Sequence, residues 1–87
     1  MMADKAYVTK LLKTARGRLD GILKMVDEDR YCMDISTQLM ATEAMLNKVN
    51  KEILTAHLKH CVSNAETQEE RDQKIDELVH MLAKLMK

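Results

Sequence analysis

The chain has 87 residues, of which 46% are hydrophobic and 32% are charged, and its fourteen basic and fourteen acidic side chains give zero net charge. It contains two Gly and no Pro, Phe or Trp. Because hairpin turns depend on Gly and Pro, this composition disfavours β folds, and the lack of Phe and Trp argues against a base-stacking platform. So short a chain is marginally stable unless it oligomerises or binds metal. We predict one all-α domain over residues 1–87.

The sequence also restricts the cellular location of the protein. Two cysteines are too few for a disulfide framework. The first ten residues lack the apolar core of a secretory signal, and no apolar run approaches the roughly 20 residues of a membrane span. These features predict a cytoplasmic protein with reduced thiols and no membrane partner.

The first predicted helix covers residues 4–28, with Asp4 as its N-cap. Apolar side chains recur there at intervals of three and four; they are Val8, Leu11, Leu12, Ala15, Leu19, Ile22, Leu23 and Val26. Gly17 and Gly21 share one face, where another helix or a phosphate backbone could approach. Residues 1–26 carry six basic and two acidic side chains, a net charge of +4, and the remaining eight basic and twelve acidic side chains give −4. The positive segment suits an anionic partner.

The second predicted helix follows a charged turn at residues 27–30. A heptad seam runs along it, formed by Ile35, Leu39, Thr42, Leu46, Val49 and Ile53. Further apolar side chains occupy other faces; they are Met33, Met40, Ala44, Leu54, Leu58 and Cys61. A helix that is apolar on several faces must be covered on several sides. In a chain of this size, the covering surfaces are expected to belong to other subunits.

The third helix is preceded by a helix end and a capping box. Ser63 and Asn64 are predicted to end the second helix, with Asn64 in the left-handed conformation. Thr67 and Glu70 have the spacing of a reciprocal capping box. The apolar face of the third helix consists of Ile75, Leu78, Val79, Leu82, Leu85 and Met86.

A possible metal site lies late in the second helix, where His57 and Cys61 are four residues apart and project from one face. Core residues often have the same spacing, so the pair alone is a weak signal. Cys32 precedes His57 by 25 positions, or roughly 35–45 Å along one helix. Two antiparallel copies of the helix, crossing near Met45 and Leu46, would place Cys32 of one chain beside His57 and Cys61 of the other, twice. This arrangement predicts an antiparallel helical dimer with two shared sites.

The donor set indicates which metal would bind. Two thiolates and one imidazole favour Cu(I), which is soft and accepts low coordination numbers. Zn(II) would require a fourth ligand, and Ni(II) or Co(II) more nitrogen or oxygen donors. His60 is either an additional ligand or a surface residue, and His80 is expected at the surface.

Two segments, LLKTARGRLDGILKMVDEDRYCMDI and AHLKHC, resemble the copper-sensing operon repressor (CsoR) family of bacterial transcriptional regulators. The resemblance covers about residues 8–82. It implies a tetramer of two antiparallel dimers, Cu(I) bound across each dimer interface by Cys32, His57 and Cys61, and release of operator DNA on metal binding. It also implies that Tyr31 and Glu77 support the ligands, which agrees with the tendency of ligating imidazoles to donate their other N–H.

Subgroups of that family differ at the ligand positions. Nickel or cobalt members carry His where Cys61 stands and have an N-terminal His that this chain lacks. Persulfide sensors keep the two cysteines but lack the His at position 57, and formaldehyde sensors keep the first cysteine and use the N-terminal segment. The three residues together therefore resemble the copper-sensing subgroup.

The candidate DNA-binding residues are basic side chains of the first and second helices: Lys10, Lys13, Arg16, Arg18 and Lys48. Two departures from the family pattern affect this assignment. Leu11 stands where copper-sensing relatives carry an Arg. Lys48 aligns with a second family Arg, keeping its charge but not its bidentate geometry.

Three functions are compatible with these features. The first is a Cu(I)-responsive repressor of copper-resistance or efflux genes, and the second is the same scaffold responding to another effector, such as zinc. The third is a copper-buffering or structural helical bundle that does not bind DNA. An enzyme acting on a small organic substrate is not expected, because the neighbours of the two thiols resemble metal ligands more than a base and its orienting acid.

Overall fold

The computed structural model describes residues 1–86, which form three α-helices and no strand. They are α1 (Lys5–Asp27), α2 (Cys32–Asn64) and α3 (Gln68–Leu85). The all-α prediction with a long middle helix is therefore confirmed.

Helix α1 begins where the sequence predicts because Asp4 caps it. The Asp4 backbone is extended, and its carboxylate accepts hydrogen bonds from the backbone N–H groups of Ala6 and Tyr7, at 3.0 and 3.3 Å. These bonds satisfy donors that would otherwise lack a partner in the first turn. After α1 the chain reverses through Asp29, whose φ of 52° lies in the left-handed region that Asp tolerates. The predicted turn is confirmed.

The chain divides into two compact units, and the first comprises Asp4–Asn50. Its buried side chains are spaced seven residues apart on each helix; they are Val8, Ala15 and Ile22 of α1, with Thr42 and Val49 of α2. The Thr42 hydroxyl donates to the carbonyl of Gln38 at 2.9 Å. The polar member of the predicted seam is thus satisfied within its own helix.

One side of the heptad seam in this unit faces outward. Thr42 and Val49 occupy one heptad position and are buried, whereas Leu39 and Leu46 occupy the other and are 47% and 43% exposed. On α1, Leu23 is 67% exposed. The outward-facing leucines leave exposed apolar area on this unit.

The second unit comprises Met1–Ala3 and Lys51–Lys87, with Ala3 and Leu78 buried. The Thr67 hydroxyl accepts a hydrogen bond from the backbone N–H of Glu70 at 3.1 Å, as predicted for the N-cap of α3. The reciprocal half of the capping box differs, because the Glu70 carboxylate accepts from the N–H of Glu66, not from that of Thr67, at 3.0 Å. The carboxylate reaches one residue beyond the expected donor.

The end of α2 also corrects a prediction. Asn64 does not adopt the left-handed conformation, since Asp29 is the non-glycine residue with positive φ in the described chain. Its side-chain amide instead donates to the carbonyl of His60 at 2.7 Å. This side-chain bond reaches back four residues along α2, and the helix ends without a left-handed cap.

Replacing Thr67 with Ala should destabilise the protein by about 1 kcal/mol, because the Glu70 N–H loses its capping acceptor. Urea unfolding followed by circular dichroism measures this loss. Thr55→Ala is a matched control, since Thr55 is an exposed residue inside α2, where Ala is a better helix former than Thr. Equal destabilisation by both substitutions would contradict the capping role.

Candidate metal centre and nucleic-acid surface

His57 and Cys61 form a preorganised pair of donors on α2. The Cys61 sulfur lies 3.3 Å from Nε2 of His57, within hydrogen-bonding distance. The spacing of one helical turn brings the side chains together. His57 is exposed and Cys61 is half-buried, so an ion from solvent can reach both atoms.

Cys32 is the first residue of α2, whereas Cys61 lies in the last turn of the same helix. Both cysteines are free thiols, and Cys32 is exposed. Within residues 1–86, no three His, Cys, Asp or Glu side chains come together to hold a metal ion. One chain therefore presents a two-donor half-site at His57 and Cys61 and a separate thiol at Cys32.

His57 shares an open cavity of about 470 Å³ with Glu77 of α3. The remaining lining residues are apolar: Met1, Met2, Ile53, Leu54, Leu78 and Met81. Glu77 forms an ion pair with Lys74 at 3.9 Å, and both side chains are about half exposed, so this pair contributes little stability. The Glu77 carboxylate can thus exchange one partner for another at small cost.

Tyr31 stands directly before α2. Its carbonyl accepts hydrogen bonds from the N–H groups of Asp34 and Ile35, at 3.0 and 3.2 Å, and so closes the first turn of the helix. The side chain is 68% exposed. Tyr31 adjoins Cys32 in sequence, so any chain that receives the thiol of Cys32 receives the phenol nearby.

The other two histidines are exposed. His60 lines a separate cavity of about 250 Å³ together with Cys61, Asn64 and Glu70. The Glu70 carboxylate there is engaged by the N–H of Glu66. His60 and His57 thus line different cavities but share Cys61 as a neighbour, and His80 is an exposed residue of α3.

All five candidate DNA-binding residues are exposed; they are Lys10, Lys13, Arg16, Arg18 and Lys48. Lys10 and Lys13 line an open groove on α1, together with Lys5 and Thr9. At about 100° per residue, Arg16 and Arg18 are roughly 200° apart around the helix. Arg18 consequently projects from the flank opposite Arg16, and the four candidate DNA-binding residues of α1 do not form a single strip.

The glycines of α1 leave one face open, as nothing other than their chain neighbours and the nearby backbone of α1 itself lies within 4 Å of where a Cβ would stand on Gly17 or Gly21. Leu11, at the position of the family Arg, is half-buried. The solvent-facing side of α1 is therefore smooth and flanked by lysines, while Leu11 belongs to its packing side.

Comparison with known proteins identifies the family. Residues 4–84 match the profile of a family described as metal-sensitive transcriptional repressor. The chain belongs to this repressor family. It is 37% identical over 84 residues to the copper-sensing transcriptional repressor CsoR of Bacillus subtilis, covering 97% of this chain and 83% of that protein. It is 44% identical over 68 residues to the Mycobacterium ulcerans CsoR, covering 78% of this chain but 58% of that longer protein.

Two solved repressor structures have the same fold. The copper-sensing repressor CsoR with Cu(I) from Geobacillus thermodenitrificans superposes with a TM-score of 0.80 at 34% identity, covering 94% of this chain and 85% of that one. The nickel-responsive transcriptional regulator InrS gives a TM-score of 0.80 at 25% identity, covering 98% and 96%. The family match and the CsoR relatives confirm the resemblance to the CsoR family. These relatives are transcriptional repressors and regulators, not enzymes. In residues 1–86, no helix is long and apolar enough to cross a membrane.

Proposed function

We propose that the chain is a Cu(I)-responsive repressor that binds operator DNA without metal and releases it when Cu(I) is held between two chains. The observation that carries this proposal is the contact of His57 with Cys61 at one end of α2, with Cys32 at the other end. Two antiparallel copies of α2 complete both sites, because an isologous dimer repeats every contact. The outward-facing Leu39 and Leu46 supply the apolar area for that dimer.

The donor set suits Cu(I) because two thiolates and one imidazole are soft ligands. The bound ion would act as a soft Lewis acid that holds three side chains from two chains in one arrangement. Zinc would require a fourth ligand, whereas His57 and Cys61 of one chain with Cys32 of another supply three. Nickel, named for the structural relative InrS, prefers more nitrogen or oxygen donors.

The assembly and genetic role follow from the same proposal. Exposed apolar side chains on α1 and α3, such as Leu23 and Val79 at 67% and 58% exposure, provide surface through which two dimers could form a tetramer. The repressor would act in the cytoplasm on genes for copper resistance or efflux, which are expressed once Cu(I) has removed it from the operator.

A gel shift with operator DNA under anaerobic reducing conditions tests this function. The metal-free protein should retard the DNA, and one equivalent of Cu(I) per chain should restore free DNA. Zn(II) and Ni(II) in parallel test other effectors, and release by either metal but not by Cu(I) would overturn the assignment. Failure to retard the DNA at low salt would instead indicate a copper-binding bundle without a DNA function.

Neutralising the basic residues of α1 should weaken DNA binding at every sequence, because phosphate contacts carry no sequence information. The variant replaces Lys10, Lys13, Arg16 and Arg18 with Gln. In a plot of the logarithm of the DNA association constant against the logarithm of salt concentration, the slope should decrease in magnitude by about 0.9 for each phosphate that the protein no longer neutralises. The charge-matched control replaces Lys51, Lys59, Arg71 and Lys84, which are also exposed. Unchanged affinity of the first variant would place the interface elsewhere, and equal weakening in both variants would indicate an effect of net charge alone.

Lys48 is tested separately, because it lies on α2. Lys48→Arg should strengthen DNA binding, since a guanidinium can contact a phosphate through two N–H groups whereas an ammonium is a point charge. Lys48→Gln should weaken it. Fluorescence anisotropy at fixed salt measures both, and unchanged affinity in both variants would exclude Lys48 from the interface.

A further inference from the structure

Three methionines line the same cavity as His57 in the unit formed by residues 1–3 and 51–87. Met1, Met2 and Met81 line the same cavity as the imidazole. They are 69%, 49% and 45% exposed, so their sulfur-bearing side chains border an open cavity and are not enclosed in a core. Ala3, the residue after Met2, belongs to the same unit and is buried.

The chemistry of these side chains matches that of the neighbouring thiol. Thioethers are soft ligands that select Cu(I), and they need not lose a proton to bind it. His57 borders both sets of sulfur donors, since its Nε2 contacts the Cys61 sulfur while the ring lines the methionine cavity. His57 therefore borders both the cavity lined by the three methionines and the thiol of the candidate metal centre.

We propose that Met1, Met2 and Met81, together with His57, form a capture site for Cu(I) that precedes the thiolate site. The destination of the ion rests on the function proposed above. In the transfer, thioether–copper bonds break as bonds to the thiolates of Cys61 and of Cys32 of a second chain form. Each thiol releases its proton to solvent, and copper remains Cu(I), so no oxidant or reductant is needed.

The decisive experiment removes both thiols and measures whether Cu(I) then binds the methionine side chains. A Cys32→Ala/Cys61→Ala protein labelled with selenomethionine is loaded anaerobically with one equivalent of Cu(I) per chain. X-ray absorption at the copper edge should then show about three selenium neighbours, because thioethers are the soft donors that remain. Absence of selenium around copper would overturn the capture site.

A matched pair of variants identifies which methionines bind. Met2→Leu/Met81→Leu in the thiol-free background should lower the selenium count from about three to about one, since Leu keeps the apolar volume but removes the donor. The control is Met33→Leu/Met40→Leu, whose residues are 60% and 59% exposed and lie in the Asp4–Asn50 unit. Circular dichroism confirms folding of both. An equal fall in the control would overturn the assignment.

The cysteine-intact protein separates this inference from the proposed function. With the same selenomethionine label and one equivalent of Cu(I) per chain, X-ray absorption of this protein should show two sulfur neighbours and one nitrogen around copper, and no selenium. If it does so while the thiol-free protein shows no selenium, the capture site alone is wrong. If the cysteine-intact protein lacks these two sulfur neighbours and one nitrogen, the proposed function fails, whatever the thiol-free protein shows.

The rate of copper loading tests the order of the two sites. Transfer of Cu(I) from a chelator should be several-fold slower in the cysteine-intact Met2→Leu/Met81→Leu protein than in the parent, and an unchanged rate would refute the precursor role.

Discussion

Replacing either Cys32 or Cys61 with Ala should abolish tight Cu(I) binding, because each proposed site takes one thiolate from each of two chains. Loss of an outer hydrogen-bond partner of a metal ligand typically costs about 10–100-fold in affinity. Loss of a ligand itself should cost more. Anaerobic competition against a Cu(I) chelator measures this change. His60→Ala, beside Cys61 in sequence, serves as the control and should bind as tightly as the parent.

Mixed dimers provide a stricter test that the site is shared. A Cys32→Ala chain keeps His57 and Cys61, whereas a Cys61→Ala chain keeps Cys32. A heterodimer of the two contains one intact site and one that lacks both thiols. Random mixing should therefore recover about a quarter of the parental sites, since half of the dimers are mixed and each regains one of two sites. If mixing recovers no tight binding, the ligands do not come from two chains.

The sequence was sufficient to predict the helices because their signals are local. The burial of Val8, Ala15 and Ile22 follows from a stripe with helical period. The Asp4 and Thr67 caps follow from side chains that reach the first turn of the helix. The proximity of His57 and Cys61 follows from their spacing alone.

Features that depend on contacts distant in sequence could not be predicted. Three residues before α1 carry no periodic pattern, so nothing in Met1–Ala3 indicates that they belong with residues 51–87. The cavity that Met1 and Met2 share with His57 was missed for this reason. The seam showed which residues of α2 are apolar, but not that Leu39 and Leu46 face outward while Thr42 and Val49 are buried. The separation of Arg16 from Arg18 was available from spacing, because residues two apart do not share a helix face.

A His57→Ala variant should still bind Cu(I), more weakly, yet fail to release DNA. Repression relieved by metal requires the metal-bound and DNA-bound states to disfavour each other, typically by about 1–3 kcal/mol, or about 5–150-fold in affinity. A ligating imidazole uses one nitrogen for the metal and donates the other N–H to an acceptor. Glu77 borders the same cavity as His57, and Tyr31 would arrive with Cys32 of the second chain. We infer that Cys32 and Cys61 provide affinity, whereas His57 transmits metal binding to α3 and to the start of α2.

Glu77→Ala tests this relay without removing a ligand. Because the Lys74–Glu77 ion pair is exposed and 3.9 Å long, its loss should hardly change stability. The variant should bind Cu(I) nearly as tightly as the parent but release less DNA, as measured by fluorescence anisotropy at saturating Cu(I). His80→Ala, an exposed residue of the same helix, should respond fully. Full release by His57→Ala at saturating Cu(I) would mean that closure of the two cysteines around the metal is itself sufficient for regulation.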